Sequence, residues 1–335
     1  MLSSKMLFFS AFILALPLSA YSSSIQIPQT GQTKCYDSRG VVIDCAGTGQ
    51  DGEIRSGKPW PELRFTNIDG SVPISGEAIL DQMSGLVWAK DGSLMNTRDP
   101  SFDSDGITSD GCVTWQHALD YIAKLNVENY LGFSDWRIPN VNELESLTNV
   151  GQNTAEWLNT SGFKNVRGRY YWSSDSDLNA GNKNAFVVGF FSGDITNVVK
   201  ETTVYSQIYI WPVRSVSPST QRVPQTGQNT CFSGIGSVAC SGTGQDGDGK
   251  AGVEWPVIRF TNPNGSLPIA GLLVVDQLTG LIWPKDAGTP TVGSCGGGPL
   301  YWQQALDYVS CLNSLKYLGC QRQSKIDPPY RLIGN

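Results

Sequence analysis

The sequence predicts an α+β fold that is laid down twice, the second time incompletely. Three observations predict it. A set of motifs recurs in the same order and at matching spacing. In each copy a hairpin pattern precedes an amphipathic helix. Three further strand-like runs follow in the first copy only.

Taken in order, residues 1–22 read as a secretory leader. Lys5 supplies the positive start, "MLFFSAFILALPL" is apolar but too short to span a bilayer, and small residues follow. The repeat then begins. "IPQTGQTKC" at 27–35 returns as "VPQTGQNTC" at 223–231, and "GTGQDG" at 47–52 returns at 242–247. "LDQMSGLVWAKD" (80–91) returns as "VDQLTGLIWPKD" (275–286). "WQHALDYIAKLN" (115–126) returns as "WQQALDYVSCLN" (302–313). The Ser/Pro-rich stretch 215–222 reads as a linker. The expected organisation is therefore a leader (1–22), a complete domain (26–214), a linker (215–222) and a truncated copy (223–335).

Two apolar runs around Ser84-Gly85 predict a β-hairpin. Trp115, Ala118, Leu119, Ile122 and Leu125 share one face of a helix that Thr114 can cap. Asn140 with Glu143 forms a capping-box pattern for a second helix, with Val141, Leu144 and Leu147 inward. "AFVVGFF", "ITNVV" and "IYIWPVR" read as three strands. The segment 167–184 between helix and strands reads as loop. The second copy departs after "YLG" at 317–319 into "CQRQSKIDPPYRLIGN", which has neither helical nor strand periodicity.

Charge and cysteines narrow the function classes. The net charge is −6 with no basic block, which argues against nucleic acid and anionic membranes. Beyond the leader no apolar run is long enough for a membrane span. Eight cysteines in an exported chain read as disulfides, with Cys35–Cys45, Cys231–Cys240 and Cys295–Cys311 as the expected pairs. A single His and no Cys-x-x-Cys exclude the common zinc sites. His117 itself reads as a solvated helix residue, and Cys112 lacks an obvious partner in its own copy.

The ordered motifs "DQMSGLVW", "WQHAL", "DWRIPNVNELESL", "YWSS" and "WPVR" together resemble the Lcl C-terminal domain family. The resemblance implies a C-type-lectin-like fold and an exported bacterial surface or periplasmic protein. It also implies adhesion or carbohydrate binding as relatives' activities. "WRIPNVNEL" is similar to a motif of formylglycine-generating enzymes, but the late cysteine pair of that copper chemistry is missing here.

Two candidate sites follow. In C-type lectins the ligand sits on loops between the second helix and the last strands. Here that region offers Tyr170, Tyr171, Trp172, Asp175, Asp177, Asn179, Asn182 and Asn184, aromatics to stack on sugars and polar groups for hydroxyls. Asp99, Asp103, Asp105 and Asp110 form an acidic loop that could take Ca²⁺, the one cofactor considered. Trp136, Arg137 and Glu143 read as structural. The expected function is a non-catalytic binding or adhesion module for a glycan or extracellular protein, with self-association through the truncated copy as a further partner reading. The alternatives are a structural envelope protein or decaying duplicate without ligand, and, last, a formylglycine-type oxidase.

Overall fold

The computed structural model describes residues 25–102, 110–179, 182–201, 208–217 and 220–319. The expected leader, Asp103, Asp105, Cys320 and the divergent tail lie outside these residues.

The chain opens with a small module. Strands β1 (Cys35–Tyr36) and β2 (Val42–Ile43) form a hairpin closed by the Cys35–Cys45 disulfide. The buried Gln50 side chain both donates to Tyr36 O and accepts from Tyr36 N. It precedes the one-turn helix α1 (Asp51–Ile54). The "QDG" motif is explained by packing, because a Cβ at Gly52 would lie 2.4 Å from Lys34 O.

Strands β3 (Phe65–Thr66), β4 (Ala78–Asp81) and β5 (Leu86–Ala89) then form a meander. Arg64 crosses it to the buried Asp81 through paired N–H···O contacts of 3.0 and 3.1 Å. After the short helix α2 (Leu94–Arg98) comes α3 (Trp115–Val127). Thr114 caps α3 as the sequence predicts, its hydroxyl accepting from His117 N–H, and the expected apolar face is buried.

Helices α4 (Val141–Glu145) and α5 (Thr154–Thr160) lead into β6 (Tyr170–Asp177). β6 is a correction: the segment read as loop is the longest strand. It pairs with β7 (Asn184–Gly189), and β7 pairs with β8 (Ile195–Val199), all antiparallel. "IYIWPVR" is not one strand either. β9 (Ile208–Tyr209) joins β6 in parallel, and β10 (Val213–Ser215) crosses to the other sheet and pairs with β5. The molecule is thus α+β with two four-stranded sheets, β10-β5-β4-β3 and β8-β7-β6-β9. One core joins them, with Trp88, Trp115, Trp136, Trp172 and Trp211 all enclosed.

From Val223 the elements recur. β11 (Cys231–Phe232) and β12 (Ser237–Val238) are closed by Cys231–Cys240, and α6 (Asp246–Gly249) follows. β13 (Phe260–Thr261), β14 (Leu273–Asp276) and β15 (Ile282–Pro284) form a three-stranded sheet with the register of β3, β4 and β5. Arg259 meets Asp276 as Arg64 meets Asp81. α7 (Trp302–Ser314) is held by Cys295–Cys311.

Candidate functional site

The entry to α4 is built as a clamp. Asn140 Oδ1 accepts from Glu143 N–H, and Glu143 Oε2 accepts from Asn140 N–H, so the two satisfy each other's backbone donors. The same Glu143 carboxylate holds Arg137 at 2.5 and 2.6 Å. Trp136 fills the core and donates to Tyr130 O. All three side chains have the structural roles expected of them.

The predicted sugar site divides sharply by burial. Tyr171 and Trp172 are enclosed, Trp172 donating to Val113 O and Tyr171 packing on Phe190 and Trp211, so neither ring can stack on a sugar. Tyr170 is half-buried and donates to Asp194. Asp175 and Asp177 are buried, Asp177 accepting from Asn179 N–H. Asn179, Asn182 and Asn184 keep solvent contact, and Asn184 donates to Asn197 across β7 and β8. Six of the eight lie on β6 and β7 and two, Asn179 and Asn182, lie between these strands, and burial of four of the six keeps the set from forming one surface.

What covers Asp175 is the module 223–253. Asn140 Nδ2 donates to Ala251 O (2.9 Å) and Asp246 Oδ1 (3.3 Å). Gln228 brackets Ser176, accepting from its N–H and donating to its carbonyl. Lys200 lies over the Trp115 ring at 4.0 Å and donates to Ser176 Oγ and Phe232 O. Its burial lowers the ammonium pKa to about 8. Asp175 Oδ2 accepts from Val141 N–H, while Oδ1 has no hydrogen-bond partner among the described residues. Burial first, and the Asp246 carboxylate second, push Asp175 up to about 7.

The acidic loop does not assemble among the described residues. Asp99 is taken by Lys124, Arg98 and the Tyr121 hydroxyl, and Asp110 accepts from Cys112 N–H. No group of three or more His, Cys, Asp or Glu among the described residues could hold a metal ion. His117, read as solvated, is half-buried, stacked on Phe102 and hydrogen-bonded to its carbonyl. Cys112 is buried outside the three disulfides, its thiol against the Tyr209 hydroxyl.

A cleft of about 750 Å³ lies elsewhere, where the first module, the α4 region and the second half meet. Trp60, Lys58, Glu145, Asn142 and Arg259 reach its walls, with the 25–30 backbone along one side. Trp60 is fixed by donating to Gln29 O and by packing on Trp157 at 5.1 Å. The Glu145 carboxyl keeps contact with solvent, yet the surrounding protein disfavours its charged form and raises its pKa. An aromatic ring, two cations and a carboxyl facing one concave volume can bind a polar ligand with an apolar face. Sequence reasoning missed this cleft because its walls come from separate segments with no shared motif.

Residues 77–214 match the family model of the Lcl C-terminal domain. No curated protein matches the chain. Among the described residues no helix is long and apolar enough to cross a membrane.

Proposed function

Because residues 77–214 match the family model of the Lcl C-terminal domain, we propose that the protein is an exported, non-catalytic binding module of the bacterial envelope. Its ligand, a glycan or an extracellular peptide segment, occupies the cleft. The observation that carries the reading is the cleft itself, a concave surface fixed by Trp60 and carrying Lys58, Arg259 and Glu145. Three disulfides fit an oxidising compartment. The engagement of His117 with Phe102 and the burial of Cys112 leave no evident base or nucleophile among these side chains.

The test is a glycan and peptide array followed by titration calorimetry on the purified chain. Lys58→Ala and Glu145→Gln, both on the cleft wall, are expected to weaken a hit by ~5–20-fold without lowering the melting temperature. A hit that both variants bind at full strength would place the ligand elsewhere. A second reading, a structural envelope component without ligand, is favoured by the way the 170–177 strand is covered by the protein's own second module. Clean arrays on host and bacterial glycans would favour that reading.

A further inference from the structure

The second half leaves open a face that the first half encloses. Phe65, Trp88 and Trp115 are 7, 0 and 2 % exposed. Phe260, Trp283 and Trp302, at the same places in the repeat, are 46, 38 and 47 % exposed. The matching registers, Phe65↔Asp81 with Phe260↔Asp276 and Ile79↔Trp88 with Val274↔Trp283, send Phe260 and Trp283 to the face that Phe65 and Trp88 occupy, and Trp302 opens α7 as Trp115 opens α3. In the first half Trp211 packs on Trp88, Trp157 and Phe163 pack on Phe65, and Ser173 O accepts from Trp115 Nε1. All of those covering residues come from 133–214.

We propose that this open face of residues 255–302 docks on the same face of a second copy of this chain, forming a two-fold dimer. Area, strand edge and charge favour a like partner. Trp255 (40 %), which shares Arg259 with Phe260, and Tyr301 (84 %), next to Trp302 in the chain, add to the exposed aromatic surface. At 150–250 Å² per ring system, the five expose on the order of 500 Å² per copy, so about 1,000 Å² for a pair. That meets the lower bound for a biological interface and fits a weak, reversible dimer. A strand-donating partner is disfavoured by Pro284. Its counterpart Ala89 donates to Pro212 O at 3.0 Å across to β10, and proline has no N–H to repeat that bond. The face, not the edge, is what remains for docking. Arg259 lies over Trp255 and Phe260 but is already paired with Asp276, so bringing two copies together leaves no guanidinium unpaired. The inference is independent of what the cleft binds.

Sedimentation velocity of the disulfide-intact chain over a broad concentration range tests it. Reversible dimerisation is expected. Trp302→Ser and, separately, Trp283→Ser should each weaken the dimer at least ~10-fold. Ile235→Ser, 99 % exposed on the β11–β12 turn, should leave it unchanged. Circular dichroism and disulfide mapping check that both tryptophan variants fold. A monomer at every concentration overturns the proposal, as does a dimer that neither tryptophan substitution moves. A chain cut after Gly319 that dimerises where the full chain stays monomeric would also overturn it, because residues 320–335 would then be the cover.

Discussion

Asp175 shows how one residue can tie the fold to pH. It sits on β6 with one oxygen on the α4 N-terminus and the other without a hydrogen-bond partner among the described residues, facing Asp246 of the second module. Arg137 and Glu143 lie close to Asp246 and add charges of both signs. Folding raises the Asp175 pKa from 3.8 to about 7, so between those values the native protein binds more protons than the unfolded chain. Stability contributed by this site is therefore present below pH 4 and lost as pH rises towards 7. Asp175→Asn removes the repulsion and keeps an oxygen for Val141 N–H. It should stabilise the protein by on the order of 2 kcal/mol at pH 8 and by little at pH 4. Thermal unfolding at the two pH values checks it, and equal shifts at both would remove Asp175 as the cause.

At the scale of elements, the two meanders share a ladder but not an environment. Arg64 is buried against Asp81, donates to Ser146 O, and lies over Trp60, Phe65 and Trp157. Arg259 keeps the carboxylate and two rings, but its side chain is a quarter exposed. Arg64→Ala strands a buried aspartate and should cost ~3–5 kcal/mol, whereas Arg259→Ala should cost ~1–2 kcal/mol, because removing the partly exposed Arg259 opens the buried Asp276 to water. Chemical denaturation of the two variants measures the difference. Other elements were legible from the sequence to the degree that burial is apolar. Helix α3 announces itself because its core face is Trp, Ala, Leu, Ile and Leu at helical spacing, and α4 because Asn140 and Glu143 sit three apart. Strand β6 does not, because "SSDSD" is buried under a polar module and leaves no alternation to read. "IYIWPVR" reads as one strand because nothing local records that the chain changes sheets at Trp211-Pro212. As part of β6, Tyr171 and Trp172, expected on a loop, are enclosed residues of a strand.

The whole molecule is held together by exchange between its halves. Module 223–253 docks on the first half through Asn140, Ser176 and Lys200, and a Cβ at Gly244 would lie 3.3 Å from Leu119. In return, Ile25 N–H donates to Leu278 O of the second half, and a Cβ at Gly49 would lie 3.9 Å from Leu306. The cleft lies at this junction, so its shape depends on both halves staying docked. Helix α7 buries Leu306, Tyr308 and Leu312, and the cluster that the last two form with Cys295 is small beside the continuous core through 65–223. Little apolar burial means a low local opening energy. Amides of β13, β14 and β15 should therefore exchange with solvent faster than those of β3, β4 and β5, by roughly 10–100-fold in monomeric protein. Reduction should widen the gap by releasing α7 from the Cys295–Cys311 loop. Hydrogen exchange read by mass spectrometry, with peptides covering 65–89 and 260–284, gives the ratio directly. Equal protection of the two meanders in monomeric protein would mean that the open aromatic face is covered within the chain itself.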